Sequence, residues 1–369
     1  MSLGSEEMWS AASARPDREP RIISSFERLP EFLFYTPVVI WCLMLSLKYR
    51  SASLPTLANT AFQDGGLLAQ PKSEILRKLG TEGRNATAHF TTFYRDKSLD
   101  AATNAKNAAA AMAEADVEFP VVAKPDVGRN GVGIEKLDDF AGLEAYIANY
   151  PDDTRMMLQS FSPFVGEAGV FFVRYPEEEH GRITSLTLKF FPSVIGDGQS
   201  SLRELIQADP RAGRLTHFYF PRFEGRLDEV PAKGKEVSLV FTGNHRRGAI
   251  FRDGGIHVTA AMTEKFEEIS KEIDGFWFGR FDVRYRDLDA FKRGEDFTII
   301  ELNGAGAEAI HIYDADMTLF GAYKALFKQY RTAFEIGAVI RNRGLKPVPF
   351  WRLARNYIAE VRMLHSHGK

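Results

Sequence analysis

The sequence predicts a mixed fold of the α/β or α+β class, and three observations carry that expectation. From Phe119 onward, short apolar strands alternate with amphipathic helices. Two late segments, Phe278–Tyr285 (FGRFDVRY) and Thr298–Ala305 (TIIELNGA), alternate apolar and polar residues as strands with one buried face do. The composition is that of a globular protein, 44% hydrophobic and 26% charged, and 369 residues suffice for several subdomains around substantial cores.

Residues 1–31 are polar and mixed in charge, without the basic start or small-residue cleavage site of a secretory signal, and 1–30 are expected to be flexible. The apolar run Phe32–Leu47 follows. Pro37 suits the first position of a helix capped by Thr36. A buried helix is the main expectation; a membrane-dipping, partner-binding or spanning helix is the alternative, the run being short for a span. The region 31–118 also holds a helix at Pro71–Leu79 and an Ala/Asn-rich helix at Leu99–Ala115. Next come a strand at Phe119–Pro125 and a helix at Asp138–Tyr150, with Asp138 as cap. Strands are expected at Met156–Phe161, Gly169–Arg174, Ile183–Phe190, Glu236–Phe241, Phe278–Tyr285 and Asp296–Leu302, with a helix at Thr263–Ile273. Gly321–Lys369 is helical and basic, with ten Lys/Arg against two Asp/Glu. Phe350, Leu353, Tyr357, Val361 and Leu364 recur at helical spacing there, either to dock on the core or to rest on an anionic membrane.

Net charge of −2 gives no global attraction to nucleic acid, and the lone cysteine, Cys42, excludes an intrachain disulfide and a Cys-rich zinc site. The chemistry concentrates in a few segments. On Phe278–Tyr285, Phe281 and Val283 are expected to face the core, with Arg280, Asp282 and Arg284 opposite. On the other strand, Ile300 and Leu302 face inward and Glu301 and Asn303 outward. If the strands pair, Asp282, Glu301 and Asn303 form an all-oxygen cluster suited to magnesium bridged to phosphates, with Arg280 beside it. Phe119–Ile134 (FPVVAKPDVGRNGVGI) ends a strand at Lys124 and continues into a loop with Gly128, Gly131 and Gly133. Glycines let backbone N–H groups approach phosphate oxygens, and the lysine adds a point charge. The pattern is neither a Walker loop nor a dinucleotide fingerprint; a plain turn with a solvated lysine is the alternative.

The strand–Lys–Pro–Gly-loop order resembles the ATP-grasp superfamily, especially D-alanine–D-alanine ligases and related carboxylate–amine ligases. Pro71–Leu79 (PKSEILRKL) resembles the helix carrying the first ATP lysine, which the match puts at Lys72. Met157–Val173 (MLQSFSPFVGEAGVFFV) resembles the hinge holding adenine and ribose, with Gln159 where the family usually has Glu and Glu167 at the ribose acid. Gly279–Asp282 (GRFD) and Glu301–Asn303 (ELN) match the acyl-phosphate arginine and metal-binding segments. Pro192–Ile206 (PSVIGDGQSSLRELI) and Gly243–Gly248 (GNHRRG) are similar to loops of the cyanophycin-synthetase branch. The resemblance covers residues 70–320 and implies an α+β ATP-grasp fold with two subdomains clasping ATP, a short helical N-terminal region and a helical C-terminal tail. The subdomains are expected at 119–180 and 181–325, with a basic tail at 326–369. The chain departs from the D-alanine ligases in lacking an evident α/β unit before residue 118 and the proline-glycine turn after Asn303.

The resemblance implies an ATP-dependent carboxylate–amine ligase acting through an acyl phosphate. Arg280 and Arg247 are the expected catalytic residues. Lys72, Lys124, Gly128, Gly131, Gly133, Gln159 and Glu167 are expected to bind ATP. Asp282, Glu301 and Asn303 are expected to bind one or two magnesium ions, manganese being an alternative. The substrates would be small-molecule or peptide carboxylates and amines, with no nucleic acid; peripheral membrane contact and a homodimer are further options. The expected location is the cytoplasm, with the inner face of the membrane as its refinement. An ATP-grasp kinase or thiol ligase, and a nucleotide-responsive scaffold without turnover, are the competing readings. His245 and Arg246 are candidate phosphate contacts, Asp197 is a turn former, His365 and His367 are solvated, and Glu308 and Asp314 are left near the acceptor without a role.

Overall fold

The computed structural model describes residues 26, 29–128, 131–240, 243 and 248–367, with side chains described up to 361. Apart from Phe26, Leu29 and Pro30, the stretch expected to be flexible lies outside the described residues, as do His245, Arg246 and Arg247.

The first helix, α1 (Glu31–Tyr49), starts after Pro30 and not at Pro37. Pro37 lacks the N–H of a helix interior, and Thr36, expected as a cap, instead donates its hydroxyl to the Phe32 carbonyl. Next come α2 (Lys72–Leu76), β1 (Phe90–Tyr94) and α3 (Ala101–Glu114), capped by the Asp100 side chain. β2 (Val121–Pro125), β3 (Glu135–Leu137), α4 (Phe140–Asn149) and β4 (Arg155–Ser160) follow; Asp139, one residue beyond the expected cap, accepts from Gly142 N. β5 (Gly166–Val173), β6 (Arg182–Phe190), β7 (Ser193–Ile195), β8 (Glu236–Ser238) and β9 (Ile250–Asp253) come next. The chain continues through α5 (Ala260–Lys271), β10 (Phe278–Tyr285), β11 (Phe297–Asn303), α6 (Leu319–Asn342) and α7 (Phe350–His367). Short helical turns connect these elements.

Among the described residues the paired strands run antiparallel, in a four-stranded sheet ordered β1-β4-β2-β3, a five-stranded sheet ordered β11-β10-β5-β6-β9, and a β7-β8 ribbon. The small sheet packs on α3 and α4 through Val121, Leu143, Ile147 and Leu158. It recruits β1 and α3 from before residue 118, while β5 joins the large sheet, so the boundaries expected at 118 and 180 do not coincide with the division into sheets. One face of the large sheet packs on α5, where Phe266 lies between Phe281 and Phe297 at ring distances of 5.3 and 5.2 Å. The other face changes character along its strands. Phe171, Val173 and Phe278 are buried with Phe334 and Ile336 of α6, whereas Glu167, Arg280 and Asp282 line an open cleft.

Helix α1 corrects the expectation of a buried helix. Phe34, Val38 and Leu45 are buried, and Trp41 stacks on Phe327 of α6 and donates its indole N–H to that residue's carbonyl (3.0 Å). Phe32, Val39, Leu43, Met44 and Leu47 are exposed. The helix is long and apolar enough to cross a membrane by length and composition alone. Helix α7 likewise departs from a core-docked stripe. Phe350, Trp351 and Tyr357 are exposed, and two polar contacts tie the helix to the body: Asn356 donates to Asp64 (2.9 Å) and Glu360 accepts from Ala69 N (3.1 Å).

Candidate active site

The two sheets open onto a cavity of 1010 Å³. Lys72, Lys124, Gly128, Gly131, Gln159, Glu167, Arg280, Asp282, Glu301 and Asn303 all line it. Gly133 lies against Pro125 and has φ +68°, a left-handed conformation that favours glycine.

Lys124 is buried, not a solvated strand end. Val122 pairs with Gln159 across β2 and β4, so Lys124, two residues on, leans along the same face. Its ammonium donates to Gln159 Oε1 (2.8 Å) and to the Ile300 carbonyl (3.2 Å). Burial lowers its pKa to about 8, with Glu301 opposing and Lys72 assisting. The contact orients the Gln159 amide, because lysine can only donate; Gln159 Nε2 has no partner among the described residues.

A register shift explains why Ile300 receives Lys124. Asp282 pairs with Glu301, but Val283 pairs with Ile299, leaving Ile300 as the extra residue of a bulge. This corrects one expectation. Ile299 and Leu302 are in the core, whereas Ile300 faces the cavity.

Lys72 opens α2 and donates from its ammonium to the Gly128 carbonyl (2.9 Å). The anchor of this helix is Asp126, a fully buried carboxylate that sequence reasoning missed. It accepts from Ser73 N and Ser73 Oγ (both 2.8 Å) and pairs with Arg155 (2.6 Å), while its carbonyl accepts from Lys72 N (2.8 Å). The glycine loop and the Lys72 helix are thereby one unit.

Arg280, Asp282, Glu301 and Asn303 come together as expected. Asn303 Nδ2 donates to Asp282 Oδ2 (3.0 Å), and Arg280 reaches the same oxygen through Nη2 (2.9 Å). Gly169 lies opposite Asp282; a Cβ there would come within 3.2 Å of Arg280 Cδ, so the glycine makes room for this pair. A second missed residue, Lys189, bridges Asp282 (2.8 Å) and Glu167 (3.0 Å), and Glu167 also pairs with Arg284 (3.1 Å). A lysine inside the apolar strand TSLTLKF was the available signal. Burial alone would raise the Asp282 pKa, but Arg280 and Lys189 outweigh it and hold the carboxyl low. The Lys189 pKa is raised despite burial, by Asp282 and Glu167.

The donor set fits a hard cation with an incomplete protein shell. Glu301 lines the cavity, and no hydrogen bond or ion pair reaches its carboxylate among the described residues. No group of three or more His, Cys, Asp or Glu side chains is placed to hold a metal among the described residues, so a cation here would rely on the Asp/Glu pair, the Asn303 amide and its ligand. Of the remaining candidates, Asp197 is a turn former, accepting from Gln199 N (2.8 Å) and Ser200 N (2.7 Å). Asp314 is tied to the buried Arg252 (3.0 Å).

The mixed helix-and-sheet class expected from the sequence is present, with two antiparallel sheets, the glycine loop and the Asp/Glu/Asn strands facing one cavity. In sequence, the chain is similar to the glutathione biosynthesis bifunctional protein of Streptococcus thermophilus, 27% identical over 224 residues, covering 53% of this chain and 28% of that protein. The Streptococcus mutans protein of the same name is 26% identical over 220 residues, with the same coverage. The chain thus spans little more than a quarter of these curated relatives. Among solved structures, a bifunctional glutathione synthetase from Pasteurella multocida aligns at TM-score 0.35 and 16% identity, over 72% of this chain and 38% of that one. The VanG D-Ala:D-Ser ligase from Enterococcus faecalis aligns at TM-score 0.35 and 13% identity, over 70% and 61%. No family model matches.

Proposed function

We propose that this protein is an ATP-dependent carboxylate–amine ligase working through an acyl phosphate. The observation that carries the reading is the convergence of Lys72, Lys124, the glycine loop, Arg280 and the Asp282/Glu301/Asn303 trio on one cavity. Sequence similarity to proteins named for glutathione biosynthesis supports it.

Carboxylates do not condense with amines at neutral pH because the oxygen would have to leave as hydroxide. In the proposed reaction, a carboxylate oxygen attacks the γ-phosphorus of ATP and ADP departs. The neutral amine nitrogen then attacks the acyl carbon, the C–O bond to phosphate breaks, and phosphate leaves together with the proton that the nitrogen gives up. Lys72, Lys124 and the backbone of Gly128 and Gly131 hold phosphates, and Gly133 lets the loop make its turn. Gln159 meets the base. Glu167 was expected to bind ribose; its two ion pairs suit it as well to orienting Lys189 and Arg284. Arg280 neutralises the carboxylate and the charge that builds on the acyl phosphate. Arg247, outside the described residues, is assigned as a second anion partner. One or two magnesium ions, or manganese, would be held by oxygens of Asp282, Glu301 and Asn303 and would supply charge that offsets the phosphoryl oxygens.

ADP release screened over carboxylate and amine pairs tests the reading, with Glu301→Ala as control. A ligase releases ADP and phosphate and forms an amide only when both substrates are present. Phosphorylated product without amine points to a kinase, thioester to a thiol ligase, and ATP binding without turnover to a scaffold. Turnover undiminished in Glu301→Ala would sink the assignment of the site.

We place the enzyme in the cytoplasm. Exposed Leu43, Met44 and Leu47 beside Lys48 and Arg50 favour contact of α1 with the inner face of the membrane.

A further inference from the structure

The cavity extends past Arg280 to an end that phosphate binding does not use. Phe26 and Tyr35, from the N-terminal segment, form its wall together with Tyr313 and Tyr330, and Glu308 sits among them. The Tyr35 hydroxyl donates to Glu308 Oε1 (2.9 Å), the Tyr313 hydroxyl donates to Oε2 (2.7 Å), and the two hydroxyls are 2.8 Å apart. The sequence puts Glu308 near the acceptor with nothing to fix it there; the fold brings Tyr35 to it across 273 positions of chain.

We infer that Glu308, with Tyr35 and Tyr313, is the recognition site for the protonated amine of the acceptor substrate. The inference rests on the ligase reading and gives that reading its acceptor chemistry. A carboxylate held by two phenols inside an aromatic-walled cavity suits an ammonium group, which gains a charge-assisted hydrogen bond and the faces of the rings. Position supports the same assignment. Arg280 donates through Nη1 to the Glu308 backbone carbonyl (2.8 Å) and through Nη2 to Asp282 (2.9 Å). One guanidinium therefore connects the carboxylate-activating end of the cavity with the acidic end; an ammonium held at Glu308 gives one proton to that carboxylate, which frees the electron pair for attack on the acyl carbon, and its second proton departs with the phosphate. Burial and the Glu308 charge both raise the Tyr35 pKa, keeping its hydroxyl a donor. Tyr35 makes α1 part of the substrate pocket.

The test uses the full-length protein saturated with AMP-PNP and magnesium. Calorimetry measures binding of the common L-amino acids, D-alanine and putrescine, and of the N-acetylated form of any that binds. The expected result is at least one amine ligand that binds, loses affinity on acetylation, and is weakened about tenfold or more by Glu308→Gln. Tyr35→Phe, which keeps the ring, should weaken it severalfold. AMP-PNP affinity, measured first, should be the same in both variants and the wild type, and reports that the site is folded. Equal amine binding in wild type and Glu308→Gln, indifference to acetylation, or no binding by any amine in the set overturns the inference. Failure of the wild-type protein to bind AMP-PNP would overturn the ATP reading instead.

Discussion

Raising the pH should loosen ATP from this protein, and Lys124 sets the size of the effect. In the free protein, burial brings the Lys124 pKa down to about 8. A triphosphate beside the ammonium favours the charged form, so above that pKa nucleotide binding must take up a proton. The sign follows from linkage. Below about pH 8 the lysine is already charged and affinity is flat; above it, the free protein discards the charge that the complex needs, and affinity falls by up to about tenfold per pH unit. At about pH 9.5 the weakening reaches roughly thirtyfold. Calorimetry with AMP-PNP and magnesium measures this, and buffers of different ionisation heat count the protons taken up. Lys124→Met should bind weakly at every pH with no such slope. Lys124→Arg should also lose the slope, because a guanidinium does not titrate in this range. A wild-type affinity that stays constant to about pH 9.5, or a slope that survives in Lys124→Met, would refute the reasoning.

Asp126→Ala should lower stability by about 1–3 kcal/mol, because the Ser73 N–H and Arg155 lose their buried partner, and should raise the KM for ATP by loosening Lys72; denaturation and steady-state kinetics read the two effects separately. Phe266→Ala should cost about 3–5 kcal/mol in urea unfolding, since the ring fills the space between Phe281 and Phe297. Gly169→Val should reduce turnover far more than stability by displacing Arg280 and Asp282; an unaffected kcat would count against their catalytic placement. Leu43→Ser with Leu47→Ser should abolish co-sedimentation with anionic vesicles while leaving ADP release intact, and sedimentation equal to wild type would dismiss membrane contact through α1.

The legible part of the site was local. Period-2 alternation put Arg280, Asp282 and Arg284 on one face of a single strand, and the same rule located Glu301 and Asn303. The strand end at Lys124 and the glycines after it sit within one short stretch of chain. The same rule failed at Ile300, where a bulge adds a residue and reverses the phase; nothing in TIIELN announces it, because the bulge is set by pairing with β10. Lys189 and Asp126 were passed over for a related reason. Each is an ordinary charged residue in its own segment and acquires meaning only from partners on other elements.

The sequence by itself determined the fold class, the strands that carry the acids, and the lysine–glycine hairpin, since backbone sterics and side-chain alternation act between near neighbours. Only the tertiary structure decided that Tyr35 meets Glu308, that one face of α1 is exposed among the described residues, and that Lys189 joins Glu167 to Asp282. Those facts depend on which elements pack together. Packing is chosen by the summed burial of the whole chain, which no short segment encodes.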